Sequence, residues 1–244
     1  GGVEPEAHSH QPPVTDGNGN LYRVTESPES DGNRPKMMKS SNGGATWAEV
    51  DVAGRPKAFD LEGCWQLQVG TTIFFSISKG KAVYLTAFET SDAQGQPDKW
   101  VMEELIDSGL TSSGVKQFSS ITRTSDGKFW IFYSDKIVGS NQQIAYRRRT
   151  GPNAYGPKMS IEDAAGSWTS PVSVLGKGDV THLFYKDAMT KRLLWRTLSA
   201  EGTLGPAVRL DSKGTAVAAG PHTNAVVYER DGKEIVTIAY GDTG

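Results

Sequence analysis

A single cysteine, Cys64, stands in 244 residues. One thiol cannot close a disulfide within the chain, nor can it build a cysteine-rich metal site. Its neighbour Trp65 is apolar, so a buried structural thiol is expected. Long apolar runs are also missing, and no stretch approaches the ~18 residues of a membrane-spanning helix. No secretion leader is visible, because residues 1–20 are polar and rich in Gly, Pro and His. The initial Gly1-Gly2 suits a processed or trimmed product. There is no excess of one charge: the formal net charge of −2 argues against a nucleic-acid footprint or an anionic-membrane surface. The longest basic run, Arg147-Arg148-Arg149, alternates faces in a strand and makes no single patch. Helical periodicity is nearly absent. Its best candidate, "KWVMEELI" (99–106), is short and carries a β-compatible alternation.

What the chain does have is 28 glycines and an ordinary hydrophobic fraction of 36%, a combination that suits many short strands joined by tight turns. Strand-like runs recur. "DGKFWIFYSD" (126–135), "KGDVTHLFYKD" (177–187) and "DGKEIVTIAYGD" (231–242) each end in Tyr-x-Asp. Their tyrosines, Tyr133, Tyr185 and Tyr240, lie 52 and 55 residues apart. Weaker copies stand upstream as "DGNGNLYRVTE" (16–26) and "VGTTIFFSIS" (69–78). A second strand-turn-strand unit follows each copy. Four antiparallel strands every ~50 residues predict an all-β β-propeller, in which each repeat is one blade and neighbouring blades bury each other's faces. A β-sandwich with coincidental similarity is the alternative. Blades are expected near 10–55, 62–107, 117–163, 168–212 and 220–244, forming a single domain. The fifth stops after its second strand, at Asp242. The chain is therefore expected to be part of a larger propeller, completed by a further segment, a second chain or a partner. A closed five-bladed ring is the other possibility.

"KSSNGGATW" (39–47) carries a resemblance. Ser40-x-Asn42-x-Gly44-x-Thr46-Trp47 resembles the Asp box, S-x-D-x-G-x-T-W, of sialidases and other proteins with that repeat, with Asn42 where Asp is usual. The motif should close the hairpin between a blade's third and fourth strands. Asn42 would accept backbone N–H groups and Gly44 would supply a backbone angle closed to other residues. Trp47 would start the outer strand. Later copies, "RTGPNAYGP" and "LSAEGTLGP", keep the turn glycine but lose the acid. The resemblance implies that this turn is structural and lies away from the ligand. Sialidases hold a carboxylate with three arginines and use a tyrosine nucleophile activated by a glutamate. Their F/Y-R-I-P signature is missing here: Tyr22-Arg23 sits on a second strand, Arg123 and the Tyr146-Arg147 pair are the candidate partners, and Tyr146 and Arg147 fit packing and surface roles better.

Antiparallel topology then locates a working face where first strands start and second strands end. The entering loops "HSHQPP", "DLEGCW", "GVKQFSS", "GSWTSP" and "GPHTNA" carry three of the four histidines, and the second-strand ends carry Glu26, Asp135, Asp187 and Asp242. Loops on a rigid scaffold concentrate binding residues. The catalytic candidates are Glu62, Asp135 and His222, as two carboxyls at ~5–10 Å and a titratable ring would suit glycoside hydrolysis. The ligand-binding candidates are His10, Gln11, Gln117, Trp168, Asp187, Asn224 and Asp242, with Trp168 as an apolar platform for a sugar. The aspartates could instead cap strand ends. His8 and His10 with nearby acids could hold a divalent metal, but no H-E-x-x-H pattern supports this, so neither metal nor cofactor is assigned. Recognition or cleavage of a carbohydrate is expected, in an extracellular or periplasmic setting. A non-catalytic protein-interaction scaffold is the alternative.

Overall fold

The computed structural model describes residues 13–27, 34–51, 53–56, 60–79, 81–90, 98–110, 119–136, 142–166, 171–187, 192–210, 217–218, 224–239 and 241–242. Backbone alone is described for several of these, among them Glu26, Glu62, Cys64, Asp187 and Asp242. The expectation for the Cys64 thiol therefore falls outside the described side chains. The chain divides into two compact units, Gly1–Gly109 and Leu110–Gly244.

The first unit holds two four-stranded antiparallel sheets. One runs β1 (Val14–Thr15), β2 (Leu21–Ser27), β3 (Arg34–Ser40) and β4 (Ala48–Val50). The other runs β5 (Asp60–Val69), β6 (Thr72–Lys79), β7 (Ala82–Glu89) and β8 (Lys99–Ser108). "KWVMEELI" is thus a strand. Its alternation won over any helical tendency, with Val101 and Leu105 facing out and Glu104 and Ile106 buried in β8. Tyr22, Val24 and Met37 of the first sheet pack with Ile73, Phe75, Ile77 and Phe88 of the second. The Tyr22 hydroxyl donates to Asp98 Oδ1 at 2.9 Å, and Lys39 Nζ reaches Asp98 Oδ2 at 2.9 Å.

In the second unit, β9 (Ser119–Arg123), β10 (Phe129–Lys136) and β11 (Gln142–Gly151) are completed by an outer edge in two pieces, β12 (Ala154–Tyr155) and β13 (Met159–Gly166), both paired to β11. A second sheet runs β14 (Val172–Leu175), β15 (Thr181–Asp187), β16 (Arg192–Leu198) and β17 (Val208–Arg209). Last come β18 (Val217–Ala218), β19 (Asn224–Arg230), β20 (Lys233–Ala239) and β21 (Gly241–Asp242), in which β19 pairs with β20 and β18 with β21. Among the described residues these form two separate two-stranded pairs.

Burial follows from stacking. Phe129–Asp135 of β10 are all buried, and on one face Trp130 and Phe132 pack with Leu183 and Tyr185 of β15. Each large apolar side chain so enclosed contributes about 1.5–3 kcal/mol. In β19 only Ala225 is buried, while Val226 and Tyr228 are 55% and 47% exposed. The same clasp recurs where first strands turn into second strands. The Gln68 amide donates to the Thr15 carbonyl, the Ser125 N–H to Asp179 Oδ1 at 2.8 Å, and the Lys177 N–H to Glu234 Oε2. Each links one hairpin turn to the next, 53 to 57 residues on.

The turn between β3 and β4 is built from its own side chains. Asn42 Oδ1 accepts the Thr46 N–H at 2.9 Å, Ser40 Oγ accepts the Gly44 N–H at 2.9 Å, and Trp47 Nε1 donates to the Gly44 carbonyl at 3.0 Å. Arg23 lies 4.2 Å over the Trp47 ring. One later turn, expected to lack the acid, carries one in Glu201. In Ser199–Leu204, Ser199 Oγ accepts the Thr203 N–H at 3.1 Å, as Ser40 Oγ accepts that of Gly44, and Glu201 stands two residues after the serine as Asn42 does. Its own backbone N–H and then the Ser199 hydroxyl hold the Glu201 carboxyl below the usual glutamate value. The longer acid reaches the same serine two residues back. At Gly44 φ is +94°, and a Cβ there would meet only ordinary contacts, at 3.7 Å to Trp47 and 3.8 Å to Leu21. Gly44→Ala is therefore expected to cost roughly 1–2 kcal/mol from backbone strain alone, read as a lowered denaturant midpoint with unchanged m-value.

Candidate functional site

Register brings the predicted ends together within each sheet of the second unit. Tyr133 pairs with Ser119, Phe184 with Val172 and Asn224 with Ala239, so first strands start where second strands finish. The pairs Ile131–Ile121 and Leu183–Ser173 differ by 52 residues in both members. Tyr133 and Tyr185 thus occupy matching points in successive sheets, and both are buried. Tyr240 lies outside the described residues.

At that end Asp135 is the best-defined candidate. It is buried near the end of β10, and its Oδ2 accepts the Lys158 ammonium, which also lies 5.9 Å over the Tyr133 ring. Asp187 closes β15 opposite Arg192, and Asp242 closes β21 opposite Val217; their side chains are outside the described set. Asn224 begins β19 and is half-buried. In the first unit Glu62 lies within β5, where the pairing with β6 breaks register between Asp60 and Trp65. An irregular stretch at the start of a first strand is where a side chain can be re-aimed. His10, Gln11, Gln117, Trp168 and His222 lie outside the described residues. Among the described residues no group of three or more His, Cys, Asp or Glu could hold a metal ion.

A polar cluster missed by the sequence reading stands at the opposite end of β15. Trp195 Nε1 donates to His182 Nδ1 at 3.2 Å, the two rings stack at 5.8 Å and 13°, and His182 Nε2 meets Glu234 Oε1 at 2.9 Å. An indole N–H can only donate, so Nδ1 accepts and the imidazole proton sits on Nε2, aimed at Glu234. No local motif marks this trio, whose members lie 13 and 52 residues apart. The only sequence signal was the repeat length itself. Glu234 is held below the usual glutamate value, chiefly by the Lys177 backbone N–H and further by His182. A depressed carboxyl stabilises the fold above its unfolded pKa, and that contribution is lost as pH falls through the lower folded value. Acidification below about 4.5 is therefore expected to release the β19–β20 hairpin early. Hydrogen exchange should show its amides opening before those of β10, and Glu234→Gln should remove the pH dependence.

No family model and no curated protein matches the chain. Solved structures do. The NanB sialidase from Streptococcus pneumoniae aligns at 14% identity and a TM-score of 0.55, over 86% of this chain and 33% of that one. An α-L-arabinofuranosidase from Fusarium graminearum, in complex with an iminosugar inhibitor, aligns at 13% identity and 0.56, over 91% and 72%. A protein of unknown function from Dyadobacter fermentans aligns at 14% and 0.54, over 92% and 69%. The chain spans about a third of the length of the sialidase chain. At this identity the likeness is one of fold, and it agrees with the sheets described above: the chain is an all-β protein of β-propeller type, with several four-stranded antiparallel sheets.

Proposed function

We propose that this chain is a carbohydrate-active propeller working at the ends of its second strands. The observation that carries this reading is the acid placed at one register point in the third and fourth sheets, Asp135 and Asp187, at the end where the first strands start. Carboxylates and amides accept and donate to sugar hydroxyls, and such groups converging on a rigid scaffold suit a polyol. The likeness to a sialidase and an arabinofuranosidase supports the same substrate class. In this reading Glu62, Asp135 and His222 serve the reaction, and His10, Gln11, Gln117, Trp168, Asp187, Asn224 and Asp242 hold the sugar. The Ser40–Trp47 turn is an Asp-box turn with a structural role; its clasp of Asn42 on Thr46 supports that assignment. A glycan array paired with a chromogenic panel of sialosides and arabinofuranosides tests the proposal. Retention or turnover that falls at least tenfold in Asp187→Asn is expected. Neither retention nor turnover across the panel would reject it.

A further inference from the structure

Asparagine precedes glycine at two places, Asn18-Gly19 and Asn42-Gly43, and the fold restrains the two pairs unequally. The Asn42 carboxamide is tied at both ends. Its Oδ1 accepts the Ser40 hydroxyl and the Thr46 N–H, each at 2.9 Å, and its Nδ2 donates to Thr46 Oγ1 at 2.8 Å. Around Asn18, in the turn between β1 and β2, the bonds run to backbone instead. Asp16 Oδ1 accepts the Asn18 N–H at 2.8 Å and the Asn20 N–H at 3.2 Å. The Asn20 carboxamide is held as well, donating to Asp16 Oδ2 at 2.7 Å. The Asn18 side chain is exposed, and its carboxamide has no hydrogen-bond partner among the described residues. Gly19 after it is exposed too, with φ at +85° and nothing within 4 Å of where a Cβ would stand.

The geometry points to Asn18 as a site of spontaneous covalent modification: the Gly19 backbone nitrogen attacks its carboxamide and converts Asn18 to aspartate and isoaspartate, while the clamped Asn42 is spared. A bond forms from that nitrogen to Asn18 Cγ, the Cγ–Nδ2 bond breaks, and ammonia leaves with the nitrogen's proton. Water then opens the cyclic imide at either carbonyl. The balance is amide and water to carboxylic acid and ammonia. Attack needs the carboxamide to swing over its own backbone. No hydrogen bond opposes that swing at Asn18, and three oppose it at Asn42. Glycine follows both asparagines and crowds the attacking nitrogen least, so the clamp is what separates the two sites. Opening toward isoaspartate threads the main chain through the side chain and adds a methylene to the turn. Asp16 Oδ1 spans the Asn18 and Asn20 N–H groups at the unmodified spacing, so the longer turn loosens the β1–β2 hairpin. The exposed isoaspartyl carboxyl is then a substrate for an S-adenosylmethionine-dependent carboxyl methyltransferase.

The test incubates the folded 244-residue chain in mildly alkaline buffer at physiological temperature and follows both sites by peptide mass mapping. Conversion at Asn18 at least tenfold faster than at Asn42 is expected, with the Asn18 peptide labelled by the methyltransferase. In denaturant, where the clamp is gone, the two rates should come within a few fold of each other. Thr46→Val removes the Oγ1 acceptor and should speed Asn42 in the folded chain. Asn18→Gln should abolish labelling of its peptide. Amide exchange across β1 and β2 should quicken at least tenfold in the converted chain. Equal rates at the two sites of the folded chain would overturn the proposal, as would faster conversion at Asn42. So would a rate at Asn18 that rises tenfold on unfolding, since the folded turn would then be a restraint of its own. Unchanged exchange in β1 and β2 after conversion would overturn the loosening of the hairpin. None of these readouts depends on sugar.

Discussion

Replacing Tyr185 with alanine is expected to remove much of the stability of the second unit. The side chain is 1% exposed, sits among Trp130, Phe132, Ile144, Leu183 and Leu198, and accepts Arg196 Nε on its hydroxyl at 3.0 Å. Truncating a buried aromatic costs about 3–5 kcal/mol in transfer and cavity terms. Whole domains hold only about 5–15 kcal/mol. Arg196 would keep its bond to the Gly205 carbonyl at 2.7 Å but lose the phenol. Tyr185→Phe separates the two contributions, since it keeps the ring and should cost about 1 kcal/mol. Denaturant unfolding followed by tryptophan fluorescence reads both variants. Equal midpoints for Tyr185→Ala and the parent would mean that the ring does not hold the third and fourth sheets together.

The same residue shows what the sequence disclosed. Tyr133 and Tyr185 were readable as equivalents because the chain repeats itself at 52 residues, and both are buried. Strand order and the turn at Ser40–Trp47 followed from the same repetition and from local hydrogen-bond chemistry. Glu201 escaped because glutamate and asparagine differ in reach, so a side chain one methylene longer hid the likeness of its turn to that of Asn42. His182 escaped because its partners are set by how one sheet lies on the next, and no short motif encodes that. Of the candidate site, the alignment of strand ends was readable. Which carboxyl is already neutralised was not, since the Lys158 that pairs with Asp135 arrives from the link between β12 and β13, 23 residues on.

That pair yields the second large effect, through its asymmetry. Asp135 is nearly enclosed, with 6% of its side chain exposed, whereas Lys158 keeps 33% in contact with solvent. Removing the ammonium with Lys158→Met takes one cation from an enclosed carboxylate, and losses of this kind are about 3 kcal/mol or more. Removing the charge with Asp135→Asn leaves a lysine that can turn to water, and should cost about 1 kcal/mol. The double variant should recover most of the loss of Lys158→Met, because no enclosed charge then remains; the coupling energy from the four unfolding curves measures this directly. Additive losses would mean that the carboxylate is stabilised by groups other than Lys158. The single Asp135→Asn variant also separates a strand clamp from a reacting group. A carboxyl that moves a proton in glycoside cleavage contributes about 10²–10⁴-fold to turnover. Asp135→Asn should then lower kcat by that factor while the protein stays folded, and a clamp alone would leave kcat within a few fold of the parent.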